Sequence, residues 1–475
     1  MMPVRNGGFA IHDFFFIFEM LCFVSHELAL FAAIGLLIGG MDDLLIDAIW
    51  LCRVIWRRFA IYTRHPRGTL QQLPPAERPG WIAVFVPAWQ EAAVIGQMAR
   101  TALCRFDHPD YRLYIGCYPN DADTIDVVAD VAASDHRVCP VILSTPGPTT
   151  KADCLNGLWR QLLRDEAARG EPAKVIALHD AEDLVHSGEL RIFDRLIEQH
   201  DLVQLPVVPL IDAQSRWISG HYCDEFAEAH GKTLVVREAL GAAIPAAGVG
   251  CAFSRRALAA IANAKGGVPF DADSLTEDYE LGLGVAALGG TGVFVSLPGL
   301  PGGRPVAVRA HFPATFPNAV RQKSRWMAGI ALSGWDRMGW RGGLAERWMR
   351  LRDRRAPLGA VVLLAAYAGL FATLLVMIMG RITGAPIPSP GPMLTIALQI
   401  NLALLLWRLA LRAWFVSRAY GWREGLRAPM RMIIANAVEI MAARRATILY
   451  FSARRSGRVV WDKTAHVFPA LVPGE

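Results

Sequence analysis

The sequence predicts an α/β domain built on a mostly parallel sheet, joined to transmembrane and interfacial helices. Two observations predict it. Short, continuously apolar runs alternate with helix-like stretches between about residues 80 and 340, and long apolar segments flank that region. Composition agrees: 475 residues, 53% hydrophobic and 19% charged with a positive mean hydropathy, are more apolar than a soluble domain yet too polar for a wholly embedded protein. A net charge of +6 does not point to nucleic acid, because the arginines gather beside apolar segments and form no separate basic stripe. Eight cysteines are scattered singly from Cys22 to Cys251 without a C-x-x-C pair, which reads as reduced thiols and no zinc site. "HELAL" at His26 lacks the second histidine that a zinc-protease helix needs.

A first, irregular span is expected between Leu28 and Trp50, spoiled in its second half by Asp42, Asp43 and Asp47. Ala356 to Gly380 carries no charge and is long enough to cross the roughly 30 Å hydrocarbon core. After the Pro-rich turn "APIPSPGP", a third span runs from about Met393 to Val416, with Arg408 and Arg412 near one end where they can snorkel. Arg53, Arg57, Arg58, Arg64 and Arg67 follow the first span while only Arg5 precedes it. Arg347, Arg350, Arg352, Arg354 and Arg355 precede the second, and Arg418, Arg423 and Arg427 follow the third. This bias predicts an extracytoplasmic N terminus, with the central region and the C terminus in the cytoplasm. Pro429 to Phe451 keeps an apolar stripe between Arg431, Glu439, Arg444 and Arg445, and reads as a helix lying on the membrane. No signal peptide is expected, since the first apolar run carries Glu19 and lacks a framed cleavage site. The resulting division is 1–67 (span and juxtamembrane arm), 68–345 (cytoplasmic domain), 346–428 (membrane hairpin) and 429–475 (interfacial helix and tail).

The expected strands are "WIAVFVPAW", "YRLYIGCYP", "CPVILS", "KVIALHDAED", "DLVQLPVVPL" and "TGVFVSLP". In such sheets ligands collect at the carboxyl ends of strands, and polar residues stand there: Gln90 and Glu91, Asn120 and Asp121, then Asp180, Glu182 and Asp183. An apolar strand ending in several carboxylates forces like charges together, which a cation or solvent must relieve. A Mg²⁺ or Mn²⁺ site at Asp180, Glu182 and Asp183 is one reading; a solvated turn with helix-capping acids is the other. If the strand geometry lasts, Asp180 and Glu182 point the same way and Asp183 the opposite way.

"DSLTEDYELG" (273–282) also has two readings. Ser274 to Glu277 fits the S-x-x-E capping box, and acids favour a first helical turn. The alternative is that Glu277 and Asp278 carry a reaction. In "AVRQKSRWMAGIALSGW", Gln322, Arg325 and Trp326 fall on one helical face, as membrane-edge anchors or as a site.

Together these pieces resemble the membrane-bound family 2 glycosyltransferases: Asp121 in "YPNDADT", "DAED" at 180–183, "TED" at 276–278 and "QKSRW" at 322–326, in that order. Within that family the chain is similar to the bacteriophage adsorption protein B group, through "VPAWQEAAVIGQM", "GPTTKADCLN", "LHDAED", "YCDEF", "GKTLVVREALG", "AGVGCAFSRRAL", "SLTEDYELG", "FPNAVRQKSRW" and "WDKTAHVFP". The resemblance implies a GT-A fold in a bacterial inner-membrane protein that takes a sugar from a nucleotide-sugar, a uridine diphosphate sugar, and inverts its anomeric centre. Asp121 would hold the uridine, Glu91 and Lys151 would lie at the nucleotide, and Asp180 and Glu182 would arrange metal and diphosphate. Asp278 would be the base beside Glu277, and Gln322, Arg325 and Trp326 would close over the diphosphate and acceptor sugar. Because the motif is "DAED" where the family has D-A-D, the second carboxylate is either Glu182 or Asp183. A glycan acceptor, the lipid bilayer and an outer-membrane export partner are the implied partners. Two rivals are a glycoside hydrolase, which needs no nucleotide, and a non-catalytic envelope or phage-adsorption component that keeps the fold. The resembling proteins continue into a domain similar to cyclic-di-GMP-binding modules, so this polypeptide alone is expected not to bind that dinucleotide.

Overall fold

The computed structural model describes residues 7–456 and 467–469. The chain enters on α1 (Gly7–Trp56), then alternates through β1 (Ile82–Pro87), α2 (Ile95–Arg105), β2 (Tyr111–Cys117), α3 (Ala122–Ser134), β3 (Val138–Ile142), α4 (Lys151–Arg169), β4 (Val175–Leu178) and α5 (Glu189–Leu196). There follow β5 (Leu202–Gln204), β6 (Val207–Leu210), α6 (Ile218–Glu228), α7 (Leu234–Ala239), β7 (Cys251–Ser254), α8 (Arg255–Ala264), α9 (Glu277–Ala287), β8 (Gly292–Phe294) and β9 (Val308–His311). Six helices end the chain: α10 (Phe316–Met327), α11 (Gly334–Met338), α12 (Leu344–Arg354), α13 (Ala356–Thr383), α14 (Pro392–Tyr420) and α15 (Trp422–Ser456).

The main sheet has the order β3-β2-β1-β4-β7-β5-β8. β1 pairs in parallel with β2 and β4, whereas β7 runs antiparallel to both β4 and β5, so the sheet is mixed. Side chains alternate between two buried layers, with Ile82, Val84 and Val86 in one and Trp81, Ala83 and Phe85 in the other. The run "DLVQLPVVPL" does not form one strand. It breaks at Leu205-Pro206, where proline supplies no ladder N–H, and β6 leaves to pair with β9 in a small second sheet.

Among the described residues, three helices are long and apolar enough to cross a membrane: Phe14–Ile61, Ala356–Thr383 and Pro392–Tyr420. α1 lies antiparallel to α13, with Gly35 facing Val362 and Gly369 facing Leu28 and Ala29. This register sets Phe14 to Met41 beside the full length of α13. The first candidate span, Phe14–Ile61, encloses the expected Leu28–Trp50. Asp42, Asp43 and Asp47 do not interrupt the helix, because each is paired with side chains from elsewhere in the chain. Asp42 takes Trp348 Nε1 at 2.6 Å, Asp43 takes Arg352 and Arg355 at 2.9 and 2.5 Å, and Asp47 takes Lys232 and Trp407 at 2.5 and 2.9 Å. α15 keeps an exposed apolar stripe through Leu426, Met430, Ile433, Ile448 and Phe451. On another face Arg431 is fully buried, enclosed between Asp224 of α6 and Glu424. Most of "WDKTAHVFP" lies outside the described residues; within them, Phe468 packs against the main core.

Candidate active site

A cavity of about 750 Å³ opens at the carboxyl ends of β1 and β4. Of the residues singled out from sequence, Glu91, Lys151, Asp180, Glu182, Asp183, Glu277, Asp278, Gln322, Arg325 and Trp326 line it. Asp121 does not. Its Oδ2 accepts the Gln90 N–H at 2.5 Å, while Thr124 Oγ1 accepts that of Glu91 at 3.0 Å. Gln90 has a φ of 55°, a strained backbone for a residue with a side chain, so Asp121 acts on the cavity by holding this turn.

Lys151 opens α4 behind the N-cap Thr150, whose hydroxyl accepts the Asp153 N–H at 3.2 Å. Its ammonium donates to Asp180 Oδ1 at 2.5 Å. Burial opposes the lysine's charge, but Asp180, Glu277 and Asp278 outweigh it and hold the group above its usual range.

β4 ends at Leu178, so strand alternation does not reach the acids. Residues 179–183 form a turn in which Asp183 folds back, and its Oδ2 accepts from His179 Nδ1 at 2.9 Å and from the Asp180 N–H at 3.0 Å. On the far side of the ring, His179 Nε2 lies 3.1 Å from Glu189, and all three side chains are buried. Burial alone would discharge His179, yet Glu189 and Asp183 push it up to about 10, an imidazolium clamped between carboxylates. Among the described residues, no group of three or more His, Cys, Asp or Glu could by itself hold a metal. Two cavity carboxylates, Asp180 and Glu182, suit instead a hard divalent cation whose remaining ligands are phosphate oxygens and water.

The capping box is absent. Thr276 is the N-cap of α9 and makes no side-chain cap bond. Ser274 Oγ donates to Glu280 Oε1 at 2.9 Å and accepts from Thr276 N and Arg337 Nη2, both at 3.1 Å. The local match fails because a more distant partner, Arg337, draws Glu280 and Ser274 into a buried ion-pair network. Ser274→Ala should therefore cost about 1 kcal/mol by the lost bonds and leave the helix start unchanged. Chemical denaturation of the variant, with circular dichroism for α9, checks this.

Asp278 accepts the first-turn Tyr279 N–H of α9 at 2.7 Å. Burial, then the charge of Asp278, raises Glu277 to about 7 against the pull of Lys151. Burial also raises Asp278, again opposed by Lys151. Gly248, with φ +78°, sits against Asp278 so closely that a Cβ there would overlap Oδ2. Gln322, Arg325 and Trp326 reach the cavity from one face of α10, Gln322 Oε1 being buried without a hydrogen-bond partner among the described residues. Trp326 is braced by Tyr222, Phe226 and Phe312 at ring separations of 6.1 to 6.3 Å. Gly248, the His179–Glu189 pair and the bracing Phe226 and Phe312 were not singled out from sequence, although "AGVGC", "LHDAED" and "YCDEF" contain Gly248, His179 and Phe226.

A family model described as "Glycosyltransferase like family 2" matches residues 79–329. "Bacteriophage adsorption protein B" of Escherichia coli K12 is 36% identical over 465 residues, covering 94% of this chain and 62% of that protein. "Bacteriophage N4 adsorption protein B" of Escherichia coli O157:H7 gives the same figures. The chain thus spans less than two thirds of the length of these relatives. Among solved structures, a mannosyltransferase from Pyrobaculum calidifontis in complex with GDP-Man and Mn²⁺ is 14% identical, with a TM-score of 0.48 and coverage of 85% and 98% of the two chains. A glucosyl-3-phosphoglycerate synthase from Mycobacterium tuberculosis, in complex with Mn²⁺, UDP and glucosyl-3-phosphoglycerate, is 17% identical with a TM-score of 0.34, covering 59% and 88%.

Proposed function

The chain belongs to the family 2 glycosyltransferases, with a GT-A α/β domain, and from that premise we propose an inverting, metal-dependent enzyme that moves a sugar from a UDP-sugar to a glycan acceptor. It works at the inner face of a bacterial plasma membrane. The observation that carries this reading is the convergence of Lys151, Asp180, Glu182, Asp278, Gln322 and Arg325 on one cavity. Family membership removes the glycoside-hydrolase alternative.

A sugar hydroxyl is a weak nucleophile until a placed carboxylate takes its proton. Asp278 fills that role: the acceptor oxygen bonds to the anomeric carbon, the bond to the diphosphate breaks, and the proton passes to the carboxylate. Lys151 and Arg325 face the negative charge that develops on the departing diphosphate. Asp180 and Glu182 would hold Mg²⁺ or Mn²⁺, which when bound supplies further positive charge there. Asp183 is assigned to fixing the turn. Gln322 and Trp326 orient the sugars, Glu91 borders the nucleotide, and Asp121 supports it through the Gln90 turn. A glycan product of many units, with an outer-membrane export partner, goes with the same reading.

The direct test is metal-dependent donor binding. Glu182→Gln and Asp180→Asn should each weaken binding of a UDP-sugar in Mn²⁺ while leaving binding without metal unchanged, as read by calorimetry. Equal affinities with and without metal in the unsubstituted chain would remove the metal assignment.

In this reading Asp278 must be ionised to act, and burial raises its pKa, so turnover should be lost on acidification at a pH above the ordinary carboxylate range, which a kcat against pH profile checks.

For topology, the arginine bias predicts that reporter fusions at Asp121 and Glu475 read cytoplasm and a fusion at Ser389 the opposite side.

A further inference from the structure

α12 touches both the helix that bears the base and the first apolar helix, and it does so with neighbouring residues. Asp353 accepts two bonds from Arg237 Nη1, at 2.9 and 2.8 Å, and one from the Tyr279 hydroxyl at 2.7 Å. Tyr279 directly follows Asp278, and its N–H donates to the Asp278 carboxylate at 2.7 Å. Arg237 also donates to Ala243 O at 2.6 Å, and Ala243 N donates to Glu346, at the start of α12, at 2.8 Å. On either side of Asp353, Arg352 and Arg355 grip α1: Arg352 reaches Asp43 at 2.9 Å, and Arg355 reaches Asp42 and Asp43, each at 2.5 Å. Arg237 and Tyr279 are 3% and 5% exposed, and neither they nor Asp353 line the cavity.

We propose that α12 is a positioning helix: Asp353 sets Tyr279, and through it the Asp278 carboxylate, in a register fixed by the Arg352 and Arg355 grip on α1. Competence for transfer then depends on the apolar helix being docked, although no described side chain of that helix lines the cavity. The argument is geometric. A tyrosine is a stiff lever between its backbone and its hydroxyl, and a charge-assisted bond at its tip holds the start of α9 against sliding. A displacement of about 1 Å at a reacting group costs on the order of 100-fold in rate, so a device that binds no substrate can still govern kcat. A merely structural tie would act on stability and donor affinity and leave kcat alone.

The proposal rests on Asp278 being the base, and its test is separable from that reading. In the full chain in lipid nanodiscs, Tyr279→Phe removes only the hydroxyl. It should lower kcat about tenfold or more while the donor KM and UDP affinity stay within about twofold. Asp42→Asn with Asp43→Asn should produce the same split, and combining the two changes should lower kcat no further than the larger single effect. If the double asparagine protein does not assemble, Arg355→Lys, which keeps the charge but loses the planar fork, should lower kcat in the same way. Tyr279→Phe turning over within twofold of the unsubstituted chain would overturn the proposal, as would multiplicative losses in the combined variant. An active Asp278→Asn protein would instead remove the premise, whatever Tyr279→Phe does.

Discussion

Asp278→Asn is expected to lower sugar transfer by roughly 10²- to 10⁴-fold while donor binding and thermal stability change little. The substitution keeps the size of the side chain and can still receive the Tyr279 N–H, so the packing around α9 should survive. What it removes is the proposed site for the acceptor's proton. Neighbouring Glu277 cannot replace it for free: it is buried, at 6% exposure, and raised to about 7 by burial and by Asp278 itself. In the variant that repulsion is gone, so Glu277 ionises more readily, yet its carboxylate stands one residue away on the helix, about 100° round the axis. Turnover above about a tenth of the unsubstituted rate, with 10² as the smallest loss expected for a general base, would return these acids to a structural role.

The second large effect is predicted where no charge changes. Gly248→Ala places a methyl group in the space of Asp278 Oδ2 on a backbone whose φ of +78° side chains rarely adopt. The backbone strain costs about 1 to 2 kcal/mol, and the overlap must push Asp278 away from the acceptor. Transfer should fall about 10²-fold or more, with UDP affinity unchanged, because the three atoms nearest a Cβ at Gly248 all belong to Asp278. Transfer assays beside calorimetric UDP binding separate the two. A loss of UDP binding equal to the loss of transfer would show that the glycine serves the whole cavity and not the base.

How far the sequence could be read follows from the range of each interaction. β1 to β4 were legible because each lies in a short, mostly apolar run followed by polar residues. β7 and β9 were not, since "CAFS" and "VRAH" are only four residues long and take their strand character from neighbours. The cavity acids and the α10 residues were legible as ordered motifs, and all but Asp121 line one space. Ser274 misled because the capping pattern is local while its partner Arg337 is far along the chain. The same limit explains Asp42, Asp43 and Asp47: read alone they spoil a hydrophobic helix, and only the arrival of Arg352, Arg355, Arg408 and Lys232 makes them a docking lock. Asp183 was placed by strand alternation, which stops at Leu178.

The central claim, that this cavity transfers sugar from a nucleotide donor, is tested most directly by offering a panel of nucleotide-sugars to the purified chain in nanodiscs and measuring nucleoside diphosphate release with and without Mn²⁺. The account predicts UDP release from at least one UDP-sugar, dependent on a divalent cation and abolished by Asp278→Asn. A folded chain that binds no nucleotide, with metal or without it, would contradict the account and leave a non-catalytic envelope component that has kept the fold.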